Sequence, residues 1–253
     1  MSLEGKVAFV TGSSRPRGNG RAIALALARM GADVAVTGKA HLEGATSVAK
    51  EIREMGLKSI AVSMDVSDYE DVKMGITKIK QELGAISVLV NNAALMGHNI
   101  PIYKTTAGEW DNEVKICLNS AFYCIKEVWA DMCADKWGRI VNISSVAGLM
   151  GGYGQTSYGS AKAGLINLAK SVALEGARFN ITANSVVIGV SEADAYYELP
   201  EEVRQRVAAK TLFRKPSTPD EIAAAVAYLV SNEARYMSGA VMNMMGGLDL
   251  FAF

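Results

Sequence analysis

Short apolar runs of strand length alternate along this chain with longer segments whose apolar residues recur at helical spacing. Residues 7–11 (V-A-F-V-T) read as a first strand, a glycine-containing loop follows, and residues 21–30 carry the helical pattern. Gly31 ends that helix, and residues 33–37 (D-V-A-V-T) form a second run of strand type. The alternation continues with helices over 42–55 and 68–83 and strands over 59–64 and 88–91. A long helix over 107–135 leads to strand 139–143, and a helix over 157–178 leads to strand 182–187. Residues 192–210 read as polar helix and loop, 219–230 as a helix and 240–244 as a last strand. Apolar strands separated by helices and short loops predict an α/β protein whose parallel sheet, of about seven strands, is covered on both faces. No linker, repeat or low-complexity tract interrupts residues 1–253, so a single domain is expected, with a substrate-loop segment at about 190–215. In doubly wound sheets of this kind ligands sit beyond the carboxyl ends of the strands.

Charge removes some functions from consideration. Lys+Arg and Asp+Glu both number 26, so no basic excess exists for nucleic acid or an anionic membrane. No run approaches the roughly 18 apolar residues of a membrane span, and the start, M-S-L-E-G-K, lacks a signal-peptide pattern. A cytoplasmic location is expected. Cys117, Cys124 and Cys133 fall in the predicted long helix. Two turns separate the first two, roughly 10 Å along the axis, too far for a bridge. With two histidines, His41 and His98, and no C-x-x-C, no metal site is expected.

Strand one runs directly into T-G-S-S-R-P-R-G-N-G, residues 11–20, and then a helix. Glycines there permit a tight turn and close backbone approach to a pyrophosphate, which meets the free N–H groups of the helix start. Candidate cofactor contacts are Gly12, Ser14, Arg15, Arg17, Gly18, Asn19 and Gly20. The second strand is followed by Gly38-Lys39, with no acidic residue for a ribose 2′-hydroxyl. Arg15, Arg17 and Lys39 suit a 2′-phosphate instead, so NADP(H) is expected over NAD(H).

Strand five ends N-I-S-S, and thirteen residues after Ser145 comes Y-G-S-A-K, which puts Tyr158 and Lys162 at i and i+4 on one helix face. A carbonyl that accepts a hydride needs a proton donor, and a phenol with a free pKa of about 10 exchanges protons slowly at neutral pH. An ammonium one turn away stabilises the phenolate, and a serine at the strand end can hold the substrate oxygen against the phenol. Alone, Y-x-x-x-K is common on helix surfaces; the serine and the glycine loop make it specific.

With these motifs in order, the chain resembles the short-chain dehydrogenase/reductase family over essentially its whole length. The glycine loop, Asp65-Val66, N-N-A-A (residues 91–94), G-R-I-V-N-I-S-S-V-A-G (138–148), Y-G-S-A-K and the closing S-G-A-V…G-G (238–247) carry the likeness. The resemblance implies a Rossmann-type fold, Tyr158 as acid/base, Lys162 binding the nicotinamide ribose and Ser145 orienting the carbonyl. It implies adenine contacts from Asp65 and Val66, cofactor contacts from Asn92, Ala93, Gly189 and Ser191, and a homotetramer or homodimer.

Four features depart from the family pattern. Five residues, Ser13 to Arg17, separate Gly12 from Gly18, so the loop must bulge. Cys117 stands at the family's asparagine, which supports a water linking the lysine to solvent; a thiol hydrogen-bonds poorly, and Asn119, two places on, would face about 200° away on a helix. Ile188 replaces the proline before Gly189, and Ala193 replaces a threonine, each lost hydrogen bond being worth on the order of 1 kcal/mol. The leading expectation is a carbonyl reductase or alcohol dehydrogenase whose substrate pocket draws on Met96, His98, Leu149, Met150, Tyr153, Gln155, Tyr196 and Tyr197. The alternatives are a 3-oxoacyl-thioester reductase, for which the scattered Lys126, Arg139, Lys170 and Arg178 do not establish a carrier-binding patch, and a non-catalytic dinucleotide-binding relative.

Overall fold

The computed structural model describes residues 1–95 and 99–250. Seven strands, β1 (Val7–Val10), β2 (Asp33–Gly38), β3 (Ser59–Ser63), β4 (Ile86–Asn91), β5 (Gly138–Ser145), β6 (Ile181–Ile188) and β7 (Val241–Met244), form one parallel sheet in the order β3-β2-β1-β4-β5-β6-β7. The helices are α1 (Asn19–Arg29), α2 (Leu42–Glu54), α3 (Tyr69–Leu83), α4 (Ala107–Val114), α5 (Ser120–Asp135), α6 (Val146–Met150), α7 (Thr156–Gly176), α8 (Asp194–Tyr197), α9 (Glu201–Ala208) and α10 (Pro219–Val230).

Alternation within each strand divides the core into two layers. Ala8, Val10, Val34, Val36, Val88, Val90, Val141 and Ile143 pack beneath Ile23 and Leu27 of α1, Val48 and Ile52 of α2, and Ile222 and Leu229 of α10. Their neighbours in sequence, Val7, Phe9, Ala35, Leu89 and Ile140, face α3 and α5 through Ile76, Ile79, Cys124, Val128 and Met132, and α7 through Val172. Successive side chains point to opposite faces, and both faces are covered, which is why these strands read as continuous apolar runs. The chain order reverses between β1 and β4, so their carboxyl ends open a crevice there.

The long helix expected over 107–135 is not one α-helix. A π turn at Lys115–Asn119 divides it into α4 and α5. The 100° spacing on which the expected placement of Asn119 rests therefore fails in that turn, and a bulge of this type is frequent at functional sites. The short α6, which the periodicity does not predict, follows β5 directly and has Ser145 as its N-cap. Ile188 remains within β6, paired in register with Ser145 on one side and Met244 on the other. A proline has no N–H to give a ladder.

Candidate active site

The glycine loop is tied to two strand ends. Gly12 N donates to Thr37 Oγ1 at 3.1 Å, Thr37 N to Ser13 Oγ at 3.0 Å, and Thr11 Oγ1 accepts from Asn92 N and Ala93 N at 3.0 and 2.9 Å. Asn92 Nδ2 donates to the carbonyls of Thr11 and Gly12 at 3.0 and 2.9 Å. Ser14 lies beneath β2 and α2, where side chains on Gly38 or Gly44 would strike it. Gly12 has φ +65°, and a Cβ on Gly20 would lie 2.4 Å from Gly12 O and 2.6 Å from Asn92 Nδ2. Helix α1 then starts with Gly18 as N-cap, with no side-chain cap and no acid in its first turn. Its first amides and positive dipole end are therefore open to an anion. Gly20→Ala is expected to force the loop apart and weaken nucleotide binding on the order of tenfold or more, since overpacking here costs roughly 1–3 kcal/mol. Fluorescence titration with NADPH reads this, and unchanged affinity would count against the loop as the diphosphate site.

The cations near the loop have partners. Lys39 Nζ pairs with Asp65. Burial pushes the Asp65 carboxyl up, but hydrogen bonds from Lys39 and Ser67 and the Lys39 charge outweigh it, so it titrates below its ordinary range. Val66, half-buried, packs on the second core layer. Arg15 Nη1 meets Glu198 Oε1 at 2.6 Å, Arg17 N donates to Asp194 Oδ2 at 2.9 Å, and the Arg17 guanidinium lies 4.7 Å from the Tyr197 ring centroid. Ser191 Oγ donates to Asn19 Oδ1 at 2.9 Å. The enlarged loop thus leans on the segment after β6, a contact between residues more than 170 positions apart that no local pattern announces. Ala193 is the N-cap of α8 and provides no side-chain cap. Gly189 N reaches Met244 O at 3.3 Å.

At the end of β5, Ser145 Oγ accepts from Ala147 N at 3.2 Å. Cβ atoms on Gly148 and Gly159 would lie 2.7 Å from Lys162 C and 2.9 Å from Ala147 O, so α6 and α7 approach through glycines. That packing holds the end of β5 against the turn that carries Tyr158. Tyr158 is half-buried. Lys162 is 2% exposed, donates to Ile143 O at 2.8 Å, and has its ammonium 5.6 Å from the Tyr158 ring centroid. Cys117 is buried in the π turn, with Sγ 3.7 Å from Leu95 O. Burial pushes its thiol up, the Lys162 charge opposing.

Of the predicted pocket residues, Met96 and His98 lie outside the described residues. Leu149, Met150 and Tyr153 stand exposed after β5, Gln155 is half-buried as the N-cap of α7, and the rings of Tyr196 and Tyr197 meet edge-on at 5.6 Å. A cavity of about 350 Å³, lined by Val190, Thr211, Phe213, Ser217 and Met245 among others, includes none of them. Sequence reasoning missed Glu113, a buried carboxyl on α4 that accepts the Ser157 hydroxyl. No local signal marks it, since it is one of three acids on α4 and only the packing of α7 singles it out.

The model for enoyl-(acyl carrier protein) reductase matches residues 12–249. The chain is similar to the 3-oxoacyl-[acyl-carrier-protein] reductase FabG of Pseudomonas aeruginosa, 39% identical over 98% of this chain and 99% of that one. It is also similar to nodulation protein G of Azospirillum brasilense, 36% identical over 96% and 98%. Among solved structures, a protein described as a short-chain alcohol dehydrogenase from Sinorhizobium meliloti superposes with TM-score 0.92 at 31% identity, covering 99% of both chains. One described as a gluconate dehydrogenase from Agrobacterium tumefaciens gives 0.93 at 28% identity, covering 99% of this chain and 98% of the other.

Proposed function

The chain belongs to the short-chain dehydrogenase/reductase family, as an oxidoreductase of a nicotinamide dinucleotide, and from that premise we propose that it interconverts a ketone and a secondary alcohol with NADP(H), Tyr158 carrying the proton. The observation that carries this reading is the buried Lys162 ammonium, hydrogen-bonded to Ile143 O and set 5.6 Å from the Tyr158 ring. Burying an ammonium is costly, and here the aromatic ring beside it is a phenol.

The residues present fit the cofactor. The close-packed glycines 12 and 20 and the uncapped start of α1 suit its diphosphate. Asp65 and Val66 suit the adenine, Asn92, Ala93, Gly189 and Ser191 line its path, and Lys162 holds the nicotinamide ribose. When bound, it supplies or accepts the hydride. In reduction, Ser145 donates a hydrogen bond to the carbonyl oxygen and Tyr158 passes its hydroxyl proton to that same oxygen. Lys162 stabilises the phenolate that remains. Oxidation runs these proton steps backwards.

Preference for NADP(H) is supported by Arg15, Arg17 and Lys39. The Arg15–Glu198 pair is half-exposed on both sides, and such pairs are worth about 0–1 kcal/mol. A 2′-phosphate, through charge-assisted bonds worth about 1.5–3 kcal/mol, can take Arg15 from Glu198. Arg15→Ala is therefore expected to raise the KM for NADPH on the order of tenfold and to leave that for NADH unchanged. Equal effects on the two would remove Arg15 from phosphate recognition.

Leu149, Met150, Tyr153, Gln155, Tyr196, Tyr197 and the segment 190–215 support a partly apolar ketone as substrate. Full-length similarity to the Pseudomonas protein favours, as a second reading, a 3-oxoacyl thioester. Arg139 adds nothing to a carrier-docking patch, being 1% exposed. Exposed Phe122 on α5 and Leu174 on α7, with the half-exposed edge strand β7, support a homotetramer or homodimer. The test is NADPH and NADH oxidation with activated ketones and with 3-oxoacyl thioesters, free and carrier-bound. Nucleotide binding without turnover of any of them would replace the enzyme by a dinucleotide-binding protein.

A further inference from the structure

Helix α4 buries a single side chain, and it is a carboxylate. Glu113 is 7% exposed. One of its oxygens accepts the hydroxyl of Ser157, the residue before Tyr158. The other, Oε1, is buried and has no hydrogen-bond partner among the described residues. A dry carboxylate oxygen is costly, and buried polar atoms without a protein partner commonly hold water.

The elements packed on Glu113's helix carry the groups of the proposed proton path. Helix α4 packs against the π turn, which carries Lys115 and Cys117, and against α7, which carries Tyr158 and Lys162 in its first two turns. Cys117 feels both the Glu113 and the Lys162 charges. Its thiol is pushed up by burial and directs its hydrogen to Leu95 O. A thiol sulfur is a weak acceptor, so Cys117 is poorly equipped to hold the water that the family's asparagine supports.

We propose that Glu113 replaces the asparagine in that role, its Oε1 holding a buried water through which protons pass between solvent and the Lys162–Tyr158 pair. Glu113 is in this sense a positioning residue, and the inference rests on the acid–base reading of Tyr158. Each reduction moves one proton from Tyr158 to the alcohol oxygen, and one proton must enter from solvent to restore the phenol. The water receives a proton from the solvent side and gives one up on the Lys162 side, while the carboxylate only accepts a hydrogen bond and is not consumed. Ser157, by holding the other oxygen, leaves Oε1 as the atom that faces the water.

Glu113→Gln separates this role from a structural one, because its amide oxygen can still accept the Ser157 hydroxyl. Expected is a fall in kcat on the order of tenfold and a larger solvent isotope effect, with NADPH affinity by fluorescence and the melting temperature unchanged. In a Cys117→Asn background the same substitution should cost nothing, since the amide supplies a second holder for the water. An equal loss in both backgrounds, or no loss in either, overturns the proposal. A crystal structure of the wild-type protein decides independently of turnover and of whether the glutamine variant folds. It should show a water within hydrogen-bonding distance of Glu113, and a dry carboxylate overturns the proposal. Absence of wild-type turnover would instead strike at the catalytic reading while leaving the water to be found.

Discussion

Tyr158→Phe is expected to lower kcat on the order of 10³-fold, the range that a positioned proton donor contributes, or about 4 kcal/mol of transition-state stabilisation. Phenylalanine keeps the ring that packs at the start of α7 and removes only the hydroxyl that would give its proton to the carbonyl oxygen. The half-buried position means that the ring's contacts survive, so the fold and nucleotide binding should be retained. The measurement is turnover of whichever ketone the wild-type protein accepts, alongside fluorescence titration with NADPH. If the variant keeps more than a tenth of wild-type kcat, some other group supplies the proton.

Lys162→Met should be nearly as damaging to turnover, on the order of 10²-fold or more, yet gentle on stability. The ammonium is 2% exposed and donates to Ile143 O. Methionine fills much of the same volume and removes the desolvation of a charge, while leaving the carbonyl short of one donor. These terms oppose each other and are each worth roughly 1–3 kcal/mol, so the melting temperature should move by only a few degrees. Loss of activity with an intact thermal transition is the signature of a charge kept for chemistry. A large fall in melting temperature would show Lys162 to be a structural brace, and the proposed mechanism would lose its electrostatic partner.

Much of the architecture was legible in the chain. Helix α10 begins where the pattern places it, because Thr218 and Glu221 form a capping box around Pro219, a signal written in four consecutive residues. The seven strands were legible because burial on both faces leaves apolar runs such as residues 7–10 and 88–90. The π turn was not legible. Lys115–Asn119 carries no proline or glycine, and nothing in its composition separates it from the α-helix on either side.

The candidate site divides along the same line. Ser145, Tyr158, Lys162 and the glycines could be picked out because their spacing belongs to single elements or adjoining ones. The partners of Arg15 and Lys39 could not, since Glu198 and Asp65 lie 183 and 26 residues away. Glu113 reads as an ordinary helix-surface acid until α7 is laid against α4 and Ser157 closes on it. The sequence by itself determined the alternation of elements, the doubly wound sheet and the residue types gathered at its carboxyl edge, since these follow from local periodicity and short-range spacing. Only the tertiary structure decided which charges are paired, which carboxylate is buried against Ser157 and how the enlarged loop meets the segment after β6. Those are contacts between distant segments, and their energies depend on burial that no local pattern specifies.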